Sequence, residues 1–130
     1  MKRYPFVKQM SHKDCGAASL AMIIQYYKGF IPLDKLYDMT KTTKQGTTAY
    51  HLIQAAKEIG FDAFGIKCNI EEIKNNKLPA IAHVLIDGIY PHFLVIYKID
   101  FTKRQLLIAD PATKIKTISF FLLCPNCSIL

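Results

Sequence analysis

Residues 14–22 read Asp14-Cys15-Gly16-Ala17-Ala18-Ser19-Leu20-Ala21-Met22, and the reading of the whole fold turns on them. An aspartate suited to capping a helix precedes a cysteine, and small residues follow, so a helix is predicted to begin at Asp14 with Cys15 in its first turn. It continues on an apolar stripe of Leu20, Ile23, Ile24 and Tyr27 and is expected to stop at Gly29. A thiol placed there feels the positive end of the helix dipole and the unpaired N–H groups, both of which favour thiolate. The commonest fate of a free cysteine is burial in a core, but a polar loop-to-helix junction is the wrong setting for that. Cys15 is therefore the candidate nucleophile.

Downstream, Pro32 starts a short helix through Leu33, Leu36 and Tyr37. A loop over 41–46 leads to a third helix that carries Leu52, Ile53, Ala56 and Ile59 and ends at Gly60. The second half changes period. Residues 61–68 alternate loosely, a helical turn is expected around 70–73, and residues 79–86 are rich in β-formers and end at Asp87-Gly88, a hairpin signal. Runs at 93–99, 105–109 and 115–120 complete the set. Helices first and strands later predict an α+β domain, a helical N-terminal half packed on a mostly antiparallel sheet from the C-terminal half.

One hairpin carries a chemical consequence. A turn centred on Phe101 sets Leu94 opposite Ile108, Ile96 opposite Leu106 and His92 opposite Asp110. Directly opposed residues share a face with Cβ atoms roughly 4.5–5.5 Å apart, so the register itself predicts a His92–Asp110 contact. A one-residue slip would send Asp110 to the other face. His92 is then a base with an orienting carboxylate. Among the other histidines, His51 reads as mid-helix, His83 as a core residue inside an apolar strand, and His12 as the rival base, with only Asp14 nearby to orient it. Asp110 precedes Pro111, so it could equally be a turn carboxylate. Gln9 is weak alone, but six residues before Cys15 its amide could join the Cys15 N–H in holding an oxyanion.

Composition narrows the class. A chain of 130 residues with 51% hydrophobic content makes one domain with a substantial core. Residues 1–10 lack the apolar stretch of a secretory signal, and runs such as 120–124 are far too short to span a bilayer, so a soluble domain is expected. Of the four cysteines, Cys124 and Cys127 have the spacing of a redox or zinc half-site, but no second pair completes a metal site. The net charge of +7 comes from lysines spread along the chain rather than gathered in a stripe, and no nucleic-acid module is present. A basic solvated surface is the plain reading, with an acidic peptide as the partner class it would suit.

Taken in order, Gln9, residues 14–22, Gln45-Gly46-Thr47-Thr48, Ala55-Ala56, Gly60-Phe61, residues 79–83, His92-Phe93-Leu94-Val95 and Asp110-Pro111-Ala112 resemble the cysteine peptidase domain at the N-terminus of bacteriocin-processing ABC transporters, the double-glycine leader peptidases. The resemblance covers about residues 3–120 and implies a papain-like fold. It also implies that Cys15 is the nucleophile, His92 the base, Asp110 the orienter and Gln9 the oxyanion donor. The implied activity is cleavage of a bacteriocin or similar precursor after a double-glycine-type motif, coupled to export. The implied setting is the cytoplasmic side of the bacterial membrane, with a leader peptide and the transporter's transmembrane and nucleotide-binding parts as partners. No cofactor is expected in this domain, ATP and Mg belonging to the transporter. Relatives without the cysteine only bind substrate, so a docking domain is the alternative; acyl transfer with the same three groups is a third. Residues 121–130 depart from the family pattern, which usually continues with a Trp-Gly-type element, and read as a divergent or truncated tail.

Overall fold

Small residues let helix α1, Cys15–Tyr26, sink into the centre of the molecule: every residue from Cys15 to Ile24 is buried. The expected stripe is present in Leu20, Ile23 and Ile24, but it is not one face of a surface helix. Gly16, Ala17, Ala18, Ser19 and Ala21 bring the remaining faces within reach of two helices and a sheet. Tyr27 lies beyond the helix and is exposed. The stop residue falls one position earlier than expected, because Lys28 rather than Gly29 takes the left-handed conformation, with φ 69°. There the Lys28 N–H bonds Gln25 O and the Gly29 N–H bonds Ile24 O, both at 2.9 Å.

The structure is a computed structural model and describes residues 4–68, 73, 78–86, 90–120 and 127–129. Helix α2, Leu33–Met39, follows Pro32 and buries Leu36. Helix α3, Ala49–Ile59, starts at Thr48, whose side chain accepts the His51 N–H, and stops at Gly60, where φ is 120°. Among the described residues six strands, β1 (Ile66–Cys68), β2 (Ala80–Ile86), β3 (Tyr90–Asp100), β4 (Gln105–Ala109), β5 (Ile115–Ser119) and β6 (Cys127–Ile129), form one sheet. Its order is β1-β6-β2-β3-β4-β5, and every pairing is antiparallel.

One end of the sheet departs from the sequence reading. Strand β1 is shorter than the run over 61–68 suggested, and β6, from the segment read as a tail, inserts between β1 and β2. Residues 70–72 of the expected helical turn, the Asp87-Gly88 turn and Cys124 of the Cys124–Cys127 pair lie outside the described residues, although β2 and β3 do pair out to Ile86 and Tyr90.

The central strands are buried on both faces. On the helical side Ile81, Phe93, Val95, Tyr97 and Ala109 pack with α1. On the other, Ala82, Leu94, Ile96, Leu106 and Ile108 pack with Ile73, Leu78 and Phe120. Double burial explains why 93–96 reads as an unbroken apolar run rather than an alternation.

The β3–β4 register differs from the one expected. At the turn Asp100 pairs with Gln105, an offset that would send Asp110 to the face opposite His92. The ladder then skips Tyr97, and beyond that bulge Ile96 pairs with Ile108 and Val95 with Ala109. The result is displaced by two positions from the expected register, and a displacement of two preserves the face. His92 and Asp110 end as diagonal neighbours on one side of the sheet, not as an opposed pair.

A left-handed lysine costs about 1–2 kcal/mol, of which glycine would give back part through its greater unfolded-state freedom. Lys28→Gly is expected to raise Tm by roughly 2–4 °C in a thermal melt.

Candidate active site

Helix α1 delivers its first residue against β3 at a place where no side chain beyond hydrogen fits. A Cβ built on Gly16 would lie 2.5 Å from Thr47 Cγ2 and 3.3 Å from the Phe93 ring. Phe93 follows His92 in β3, so this close approach sets Cys15 at the level of His92. Thr47 is itself held, its hydroxyl donating to Thr40 O in the turn after α2. Cys15 is buried, with 8% of its surface exposed.

His92 and Asp110 are buried beside it. His92 Nε2 and Asp110 Oδ1 are 2.8 Å apart, and Oδ1 also accepts the Ala112 N–H at 3.0 Å. With Nε2 occupied by the carboxylate, Nδ1 is the ring nitrogen left for Cys15. Burial opposes a charge on the imidazole, but hydrogen bonding to Asp110 and to Cys15, with the negative charge of both, outweighs it and holds the His92 pKa up at about 9. Burial likewise opposes the carboxylate of Asp110. The bonds from His92 and the Ala112 N–H, then the charges of His92 and Lys116, overcome that and keep its pKa below the usual range. At neutral pH the pair is imidazolium and carboxylate.

The segment before α1 is tied to the same place. Tyr97, the bulge residue, donates its hydroxyl to Pro5 O at 2.6 Å and its ring meets Tyr4 and Tyr26. Four residues on, the Gln9 N–H bonds Pro111 O at 2.9 Å, next to Asp110. Gln9 Oε1 is buried with no hydrogen-bond partner among the described residues. The four residues singled out from the sequence, Gln9, Cys15, His92 and Asp110, therefore come to one locality from four separate segments.

The remaining histidines separate cleanly. His12, the rival base, is exposed. His51 is in the first turn of α3 rather than mid-helix, with Nδ1 3.1 Å from Thr48 Oγ1. His83 stacks on Phe93 with ring centroids 4.2 Å apart; burial, and then the charge of His92, lower its pKa, so it stays neutral.

A sequence profile of the Peptidase C39 family matches residues 3–120. The chain belongs to the peptidase C39 family. As a C39 domain it is a cysteine peptidase with a papain-like α+β fold. It is 40% identical over 112 residues to the mesentericin Y105 transport/processing ATP-binding protein MesD of Leuconostoc mesenteroides, a match covering 85% of this chain and 15% of that protein. It is 39% identical over 110 residues to the transport/processing ATP-binding protein ComA of Streptococcus pneumoniae, covering 83% and 15% respectively. The chain thus spans about one sixth of the length of these transport/processing proteins.

Among solved structures, the peptidase domain of Streptococcus ComA, a bi-functional ABC transporter of a quorum-sensing pathway, superposes with a TM-score of 0.86 at 32% identity, covering 98% of this chain and 97% of that one. A double-glycine-motif protease from an AMS/PCAT transporter, solved in complex with the leader peptide, superposes with a TM-score of 0.80 at 26% identity, covering 98% and 90%.

Two residues that shape the site, Thr47 and Gly16, have no role in the sequence analysis, and a third, Asp14, reads there as a helix cap. Thr47 and Gly16 meet only in three dimensions, though each stands in a quoted motif. Asp14 sits at the N-cap position but makes no side-chain cap bond; its carboxylate turns back, and Oδ2 accepts the Met10 and Ser11 N–H groups at 3.1 and 2.9 Å. Local sequence favours the cap, and only the packing shows otherwise.

Gly16→Ala is expected to cost about 1–3 kcal/mol as overpacking and to lower peptidase activity by lifting Cys15 from His92. Adding Thr47→Ser, which removes Cγ2 but keeps the hydroxyl, should recover part of both in melts and rate assays. The pH–rate profile should lose activity as pH rises through about 9, where His92 gives up its proton. Asp110→Asn removes a charge that raises the His92 pKa while burial, which lowers it, remains. Its alkaline limb should therefore move to lower pH.

Proposed function

We propose that this chain cleaves the leader from a secreted peptide precursor after a double-glycine-type motif, with Cys15 as nucleophile, His92 as acid and base, Asp110 as orienter and Gln9 as oxyanion donor. The observation that carries this reading is the buried His92–Asp110 bond of 2.8 Å, with the second side of the ring turned to Cys15 at the start of α1. A docking domain would have no use for a carboxylate that holds an imidazole beside a thiol.

In the first step the Cys15 sulfur, as thiolate, attacks the carbonyl carbon of the last leader residue. The C–S bond forms, and the carbonyl π pair moves onto oxygen, where the Cys15 N–H and the Gln9 side-chain amide receive it. Collapse of that oxyanion breaks the C–N bond, and the His92 imidazolium gives its proton to the departing amine. His92, now neutral, then takes a proton from water as the water attacks the thioester. The C–S bond breaks and the leader leaves with a free carboxylate. Asp110 stays ionised throughout and stabilises the imidazolium at either end of the cycle.

Several features support the choice of substrate and setting. The names of the curated relatives describe transport and processing together, and one similar structure holds a leader peptide. The net charge of +7 suits acidic leaders. Apolar side chains that a helical leader could cover stand exposed in the N-terminal half, among them Tyr27, Phe30 and Tyr50. No helix among the described residues is long and apolar enough to cross a membrane, which fits a domain that works beside the transmembrane and nucleotide-binding parts of an ABC transporter, on the cytoplasmic side. ATP and Mg would be used by those parts and not by this one.

Incubation with a synthetic double-glycine precursor tests the reading. Wild type is expected to yield two fragments divided after the glycine pair, and Cys15→Ala to leave the precursor intact. Gln9→Ala should cut roughly 10²- to 10³-fold more slowly. Equal cutting by wild type and Cys15→Ala would remove the proposal.

A further inference from the structure

Asp14 is the most deeply buried carboxylate among the described residues, with 1% of its surface exposed. An aspartate at a helix N-cap ordinarily accepts an N–H of its own helix. This one forgoes that bond and uses a single oxygen, Oδ2, to gather two N–H groups from upstream, Met10 at 3.1 Å and Ser11 at 2.9 Å. The Asp14 N–H in turn bonds Ser11 O at 3.1 Å, so the turn over 11–14 is closed from both ends.

The bond to Met10 bears on the active site. Met10 N–H is the amide directly after Gln9, and the Gln9 N–H is held by Pro111 O at 2.9 Å. The two N–H groups on either side of the Gln9 α-carbon are thus pinned, one to the loop after Asp110 and one to Asp14.

The arrangement is costly. Asp14 Oδ1 is buried with no hydrogen-bond partner among the described residues, and so is the hydroxyl of Tyr37 on α2. The two groups are close: burial, and then Asp14 itself, raise the Tyr37 pKa to about 12, although no bond of full hydrogen-bond geometry joins them.

We infer that Asp14 is a positioning residue for the oxyanion side of the site, fixing the backbone that aims the Gln9 amide relative to Cys15. The inference rests on the peptidase reading above and extends it. The two N–H groups that the Asp14 carboxylate accepts, those of Met10 and Ser11, belong to the segment that carries Gln9 and not to Cys15 or His92.

That division gives a test which loss of fold cannot imitate. Peptide cleavage passes through an oxyanion, whereas alkylation of Cys15 by iodoacetamide does not. Asp14→Ala is expected to slow cutting of a synthetic double-glycine precursor toward the roughly 10²-fold loss of a missing oxyanion donor, in kcat more than KM, with the alkylation rate of Cys15 unchanged. The double variant Asp14→Ala/Gln9→Ala should cut no more slowly than Gln9→Ala alone, because one residue works through the other.

Cleavage by Asp14→Ala at the wild-type rate would overturn the inference, and so would losses that multiply in the double variant. If Asp14→Ala does not fold, Asp14→Asn keeps a carbonyl oxygen able to accept both N–H groups. It should cut at more than one tenth of the wild-type rate with alkylation unchanged, while cleavage and alkylation falling together would refute the inference. Cutting that survives Cys15→Ala would remove the peptidase reading and this inference with it. A failure confined to the Asp14 variants removes the inference alone.

Discussion

One extra residue in β3 decides which face of the sheet Asp110 shares. The turn at Asp100 and Gln105 starts the hairpin on an odd offset, and without correction the carboxylate would point away from His92. Tyr97 absorbs one position, the ladder resumes in step, and the bond between His92 and Asp110 becomes possible. The same residue reaches across to Pro5 and packs on Tyr4 and Tyr26, so the bulge is locked by the segment that leads to Gln9. A β-bulge re-aims a side chain at low cost because strand side chains alternate with a period of two.

A second constraint acts at right angles to the first. The Cys15 thiol must come down onto the sheet from the helical layer, and helix α1 achieves this by being small where it touches. Gly16 leaves no room for a methyl group between Thr47 and Phe93, and the alanines that follow let the helix lie buried along its length. Burial then serves the chemistry. It would neutralise an isolated imidazole, but beside a thiol and a carboxylate it strengthens the charges instead, and the His92 pKa rises to about 9 despite the desolvation. Stability and reactivity draw on the same packing.

The site is assembled from segments that local structure alone does not unite. Cys15 is carried by a helix terminus, His92 by the opening of a long strand, Asp110 by the loop after a short one, and Gln9 by an irregular segment pinned through its backbone. Asp14 shows how far local preference can be overruled. Its sequence position is that of a helix cap, yet its carboxylate serves the turn before the helix.

Much was legible in the chain by itself. Helix starts near Asp14, at Pro32 and after the loop over 41–46 follow from local residue preference and the change of apolar period, and the strands of the second half follow from runs of β-formers. Gln9, Cys15, His92 and Asp110 stand out because each pairs a reactive or polar side chain with a suitable local setting, and together they match a family. Tertiary structure decided the rest. The hairpin was expected to oppose His92 and Asp110 directly; the turn and bulge placed them diagonally, since register depends on which loop conformation the packing of both sheet faces allows. Lys28 and not Gly29 ends α1, because the last turn is set by hydrogen bonds to Gln25 and Ile24 rather than by residue preference. Strand β6 formed from a segment that carried no β signal strong enough to notice, since pairing with two partners supplies what propensity lacks. Side-chain chemistry is written residue by residue, but distance between residues far apart in the chain is a property of packing.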